Sequence, residues 1–442
     1  MARRQATRTR AARASALALT IAAFAGFAAP AAQAGWSKPF EFVKPVSLDL
    51  IPSQLAFSDR GVAAAAFGVE DVDTPGVSQG YVTIRSASDA IGAARPIGNA
   101  RRVVALTYDG PALELLTATS PAAMTCCSAV QAVRLTAGGS LQPPRTLLSG
   151  LTGVTEGRLL TLGDGAMLAA LGTERGVWVV QSAESNRFGS PHRLTRAGEM
   201  PETLAAAGLG GQSTVVAWTA GTGSAGSADP RSIYYSTGSR SGPPRRARTL
   251  LTVPVGHRID ELGVARRGSG TTAAWVQSWF DRRGSFHSEV DAAEFTGHPA
   301  IRRLSALDQP ASGLTIAGDA SGDQAVAWKS CRGNGSCTAQ ATVRSPGADF
   351  GRARELGRLD APQTPAPAVG PRGQVVVGWI RGGHPVASAG SARTGLLGAA
   401  QVLSSTVYAH DLTVGFGPSH GALAAWSQGT LNPSVVGAAY TG

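Results

Sequence analysis

The sequence predicts an all-β fold, a single β-propeller of eight four-stranded blades, and three observations lead there. The 442 residues include 56 glycines and 26 prolines, a composition heavy in turns, and no long stretch carries the 3.6-residue apolar period of an amphipathic helix. A unit made of a turn glycine, a short apolar strand and a closing aromatic returns at intervals of roughly fifty residues. The last unit lacks its fourth strand, and a spare strand precedes the first unit.

The N-terminus comes first. Arg3, Arg4, Arg8, Arg10 and Arg13 precede the apolar run Ala16 to Ala29, and small residues at Ala32 and Ala34 suit cleavage before Gly35. That order of basic, apolar and small residues is an export signal. The run is too short for a membrane span, which needs about 20 apolar residues. The expected organisation is therefore a signal peptide at 1–34 and a propeller domain at 35–442. The Arg3-Arg4 pair leaves general export and the twin-arginine route both open. Without residues 1–34 the formal charge falls from +11 to +6, with 35 Lys plus Arg against 29 Asp plus Glu. Lysine occurs only at Lys38, Lys44 and Lys329, and the arginines are dispersed over separate turns. A nucleic-acid surface would need clustered basic residues with stacking aromatics, so no nucleic-acid partner is expected. No later stretch is long and apolar enough to span a membrane, and no anchor signal follows the last unit.

The repeat lines up on its closing residue: Phe67, Leu116, Leu171, Trp218, Trp275, Trp328, Trp379 and Trp426, spaced by 49, 55, 47, 57, 53, 51 and 47 residues. Five to seven residues earlier stand Gly61, Gly110, Gly165, Gly211, Gly270, Gly322, Gly373 and Gly421. A turn glycine ahead of an apolar run reads as a hairpin between the first and second strands of a unit. The second strand is nearly unbroken in small and β-branched residues, as in "TVVAW" and "QVVVGW", and so is expected to be buried on both faces. The residue before the closing position is small in seven of the eight units, Leu115 being the exception. A third strand follows, such as "TAQATVRS" from Thr338, and then a fourth, such as "ARTLLTV". The eighth unit ends without a fourth strand, and Ser37 to Leu48 is the segment expected to supply it. A ring of such sheets buries both faces of each and leaves few open edges. Seven blades is the alternative if the weak second unit is not a full blade. Two β-sandwiches in series would have no reason to keep one period.

The motif "G-x-x-x-A-x-W", followed by "V-Q-A-x-R" and "A-R-x-L" strands, resembles the uncharacterised exported β-propeller repeat proteins of GC-rich bacteria over essentially all of residues 35–442. That resemblance implies a fold and an address but no activity. A more distant likeness is to the sialidases, whose turns carry the Asp-box S-x-D-x-G-x-x-W. Ser321, Asp323 and Trp328 match it, with Ala325 in place of the glycine. The match occurs once and lies between first and second strands, whereas the family's box lies between third and fourth. No arginine triad or tyrosine–glutamate pair of that family can be assigned among the six tyrosines.

Four cysteines in an exported chain predict disulfides. Cys331 and Cys337 flank "RGNGS" and suit a local loop closure, while Cys126 and Cys127 are adjacent and would pair only with each other. The histidines show no metal-binding spacing, and Glu70, Asp71 and Asp73 read as a solvated acidic loop, so neither metal nor cofactor is expected. Ligand sites of propellers commonly lie on the face carrying the loops between second and third strands, and the richest such loop is "VQSWFDRRGSFHSE". There Trp279 and Phe280 can stack on an apolar or sugar face, and Arg282, Arg283 and His287 can hold an anion. The expected function is a secreted or extracytoplasmic binding or scaffolding propeller, acting as a monomer on a glycan, a cell-envelope polymer or a protein. The alternative is a carbohydrate-active enzyme, a sialidase-like hydrolase or a lyase, which would need converging carboxylates.

Overall fold

The structure is a computed structural model. It describes residues 35–442 apart from 44–48, 71–77, 120–127, 164, 184–186, 197–198, 200, 211–212, 222–229, 296–298, 307–308, 334, 361, 418–420, 430–433 and 442. These residues form eight antiparallel sheets, six of four strands and two of five. Blade 1 consists of Asp49–Phe57, Ala63–Glu70, Ser78–Arg85 and Arg95–Pro96. Blades 2, 3 and 4 span 102–151, 154–193 and 201–252. Blade 5 comprises His257–Arg267, Gly270–Phe280, Phe286–Glu294 and Arg302–Arg303, and blade 6 Ala311–Gly318, Gln324–Cys331, Cys337–Arg344 and Arg354–Leu359. In blade 7, spanning 366–402, two short segments share the outer edge of the third strand. Blade 8 is Ala409–Phe416, Ala422–Gln428 and Ser434–Thr441, completed by Gly35–Trp36 and Phe40–Val43. The second unit is thus a full blade, and the ring has eight.

The first strands touch one another in succession around the axis, and that of blade 8 touches that of blade 1. The ring is therefore closed. Its seam is made by the N-terminal segment, with Trp36 opposite Tyr440 and Phe40 opposite Gly437 on the last strand. The closing strand begins two residues earlier than the sequence suggests, at Gly35, and of its expected span residues 44–48 lie outside the described residues.

The apolar second strands are buried on both faces, as in Ala112–Ala118 and Met167–Thr173, where every residue is buried. The five closing tryptophans are at most 1% exposed. Each packs toward the preceding blade: Trp218 joins Leu168 and Ala170, and Trp328 joins Ala274 and Val276. Blade 2 differs. There Leu115 packs on Ala64 and Ala66 of blade 1, while Leu116 points the other way, against Leu159 and Leu171 of blade 3. The true counterpart of the tryptophans in blade 2 is Leu115, and since the buried Glu114 precedes it, that unit departs from the small-residue rule in either phase.

Most turn glycines take the left-handed backbone, including Gly61, Gly110 and Gly322. In blade 5 the role passes to Gly268 at φ 57°, and Gly270 begins the second strand.

First strands other than that of blade 7 are bulged near their starts, as between Val103 and Ala105 and between Ser312 and Thr315. A bulge leaves backbone groups without a ladder partner, and the preceding blade supplies one. Gln54 of blade 1 donates to the Val104 carbonyl at 2.9 Å. Glu261 of blade 5 accepts from the Gly313 amide at 2.7 Å and from that of Leu314. These side chains clip neighbouring blades together near the axis, where a buried unpaired amide would otherwise cost about 1–3 kcal/mol.

Candidate functional site

The second-to-third strand hairpin of blade 5 is built by side-chain alternation. Along Gly270–Phe280, Trp275, Gln277 and Trp279 face blade 4, whereas Val276, Ser278 and Phe280 face blade 6. The packing agrees: Trp275 lies with Ala205 and Ile233 of blade 4, and Val276 with Val326 of blade 6. The five candidate residues are therefore shared between two faces and a tip.

On the blade-4 side, Trp279 is sandwiched between two imidazoles. His257 stacks at 4.5 Å between ring centroids and His287 at 5.4 Å, both nearly parallel to the indole. Both faces of Trp279 are thus occupied. His287 Nε2 lies 3.2 Å from Asp281 Oδ2. Asp281 also shapes the tip, its Oδ1 accepting from the amides of Arg283 at 2.8 Å and Ser285 at 2.9 Å. The Ser285 amide first, then the His287 bond, hold this carboxyl below its ordinary range. Arg282 and Arg283 are exposed on the tip. Asp281 and His257 are contributors that sequence reading did not single out. An Asp three residues before Gly284 was a legible turn signal; the reach of His257 across the sheet was not.

On the blade-6 side, Phe280 and Phe286 stand opposite each other, edge to face at 5.4 Å, and are 69% and 51% exposed. They overhang a cleft of about 450 Å³ between blades 5 and 6, whose polar lining includes Arg258, Asp260, Ser278 and Ser312. Arg258 is paired with Asp260 at 2.6 Å. An apolar shelf beside hydrogen-bonding groups suits a ligand with one apolar and one hydroxylated edge.

Cys331 also lines this cleft and forms a disulfide with Cys337, across the hairpin of blade 6. Cys126 and Cys127 lie outside the described residues. Because the Cys331–Cys337 loop is short, replacing both by serine is expected to lower stability by only about 2 kcal/mol, measured as a shift of the urea midpoint at unchanged slope.

Below the Trp279 stack lies a buried polar group. Gln277 Nε2 donates to Glu289 Oε1 at 2.6 Å and to Asp291 Oδ2 at 2.8 Å. Glu289 pairs with Arg303 at 2.5 Å. Burial first, and the Glu289 charge second, push Asp291 up to about 7. Asp291, which titrates near neutral pH beside Glu289, is chemically able to hold and release a proton. They sit inside the blade, each 3% exposed.

The near Asp-box places Asp323 in the seam between blades 6 and 7. Its carboxyl is fully buried and packs where a Cβ of Gly373 would be, with oxygens 3.0 Å from that point. Burial raises its pKa. Asp319 caps the same turn, accepting from the amides of Gly322 and Asp323. Among the described residues no three His, Cys, Asp or Glu side chains form a metal-binding group, and no helix is long and apolar enough to cross a membrane. Asp71 and Asp73, and the side chain of Glu70, lie outside the described residues.

No family model matches the chain, and no curated protein matches it. Solved structures do. The Dos1 propeller is 11% identical, with a TM-score of 0.52, over 91% of this chain and 95% of that one. The polysaccharide lyase Uly1 is 8% identical at a TM-score of 0.51, over 78% and 91%. An ulvan lyase, solved with a bound GlcA–Rha3S oligosaccharide, is 9% identical at a TM-score of 0.50, over 91% and 95%. At these identities the likeness is one of fold.

Proposed function

We propose that the chain is an exported binding propeller that recognises a glycan or cell-envelope polymer at the blade 5–6 cleft. The observation that carries this reading is the exposed Phe280–Phe286 pair above a cleft lined with hydrogen-bonding side chains. Exposed aromatic rings stack on the C–H faces of sugar rings, and charged and hydroxyl groups beside them bind the hydroxyls. Trp279 acts as a brace that orients the hairpin, its faces covered by His257 and His287. Arg282 and Arg283 on the tip contact acidic groups of the polymer beyond the cleft. Export rests on the basic, apolar and small residues of segment 1–34. Two fold neighbours are polysaccharide lyases, which makes polysaccharides the first ligands to try.

The test is a glycan and cell-wall polysaccharide array with the chain and its Phe280→Ala, Phe286→Ala variant. Loss of two stacking rings is expected to weaken a bound glycan roughly 10- to 100-fold, with the unfolding free energy within about 0.5 kcal/mol of the parent because both rings are exposed. Equal binding by parent and variant, or binding only to protein partners, rejects the reading. A second reading, a carbohydrate-active hydrolase or lyase, draws on the proton-holding Asp291 beside Glu289. It requires new sugar ends to be released by the chain and lost in Asp291→Asn.

A further inference from the structure

The opposite end of the same blade pair carries a second cleft. It encloses about 540 Å³ and begins at Thr272, eight residues before Phe280 on the same strand. Its apolar lining includes Ala292, Ala300, Ile301 and Phe350, and its polar floor includes Arg344. This volume falls within the range of small-molecule sites.

Arg344 is an unusual floor residue. It is 5% exposed, and its guanidinium lies over the Phe350 ring at 4.3 Å from the centroid. Nε donates to Gln324 Oε1 at 2.7 Å, Nη2 donates to the Thr272 hydroxyl, and Nη1 faces Glu294 Oε1 at 3.3 Å. A guanidinium has five N–H groups. One on each terminal nitrogen therefore has no acceptor among the described residues.

The surrounding charge does not balance. Glu294 serves two guanidiniums, since its other oxygen is held by Arg267 at 2.5 Å. Asp349 is paired with Arg302 at 2.5 Å on the rim. Three arginines thus share two carboxylates, leaving one positive charge over. Burial first, and the repulsion of Arg267 second, pull Arg344 down to about 10. A buried guanidinium with unused donors is costly unless an acceptor arrives.

We infer that this cleft binds a small organic acid, its carboxylate on the terminal nitrogens of Arg344 and its apolar body against Ala292, Ala300, Ile301 and Phe350. A single carboxylate matches both the one surplus charge and the two spare N–H groups. A neutral ligand would leave those donors unmet. A small inorganic anion would leave the apolar walls unused. The site is separate from the aromatic hairpin and does not depend on the function proposed for it.

The test titrates the chain with phenylacetate by calorimetry, beside phenylacetamide and sulfate. Phenylacetate is expected to bind at least about tenfold more tightly than either comparison compound. Arg344→Gln is expected to abolish this preference. Because Arg344 also ties Thr272 to Gln324, Ala300→Trp on the exposed rim provides a second variant that fills the cleft and spares that network. It too is expected to weaken phenylacetate at least about tenfold. Equal affinity for acid and amide, equal affinity for sulfate, unchanged binding in Ala300→Trp, or no binding at about 10 mM would each overturn the inference.

Discussion

Deleting residues 35–43 is expected to destabilise the propeller by about 4–6 kcal/mol, from the buried Phe42 at about 2–3 kcal/mol and the half-buried Trp36 and Phe40 at about 1–1.5 kcal/mol each. Phe42 is 3% exposed and packs with Ala63, Phe67, Leu423 and Val435, across the junction of blades 8 and 1. Trp36 lies against Tyr440 at 5.2 Å, and the Ser37 amide donates to the Ala439 carbonyl at 2.7 Å. Without this segment Ser434–Thr441 becomes an open edge, able to pair with another chain. Urea denaturation should show the lower midpoint, and light scattering should show association at concentrations where the parent stays monodisperse. Unchanged values in both would mean that the ring closes through its first strands alone.

Asp291→Asn is expected to make the protein more stable above neutral pH and to leave it nearly unchanged in acid. In the fold Asp291 keeps its proton up to about pH 7, whereas in the unfolded chain an aspartate releases it near pH 4. Between those values the folded state binds the extra proton, so stability falls as pH rises through the window. Above it the ionised, buried carboxylate beside Glu289 is a standing cost, with Arg303 and Gln277 opposing it in part. Asparagine keeps an acceptor for Gln277 without the charge. The gain should reach at least about 1 kcal/mol at pH 8 and vanish near pH 4, read from urea midpoints across that range. A difference independent of pH would show that Asp291 is ionised throughout.

Much of the architecture was legible because the features that encode it are local. A turn glycine, an apolar run and a closing aromatic sit within a few residues of each other, so eight copies in series specify eight blades. Cys331 and Cys337 were legible as a pair for the same reason, being six positions apart in one hairpin. The spare N-terminal strand followed from counting, since one sheet lacked an edge. The phase of blade 2 did not follow, because Leu115 and Leu116 are alike in type and only contact with blades 1 and 3 distinguishes them.

The site divides along the same line. The hairpin at 276–289 was visible as a loop rich in aromatic and basic residues. Its use of both faces of a sheet was settled by which blade lies on each side: Trp279 is enclosed by His257 and His287, and Phe280 is left open. The clip from Glu261 to Gly313 and Leu314 joins residues 52 and 53 positions apart, and the buried Arg344 reaches Thr272 across 72. By itself the sequence determined the blades, their order and the strand that closes the ring. Only the tertiary structure decided which side chains meet between blades, because those contacts depend on how one repeat sits against the next.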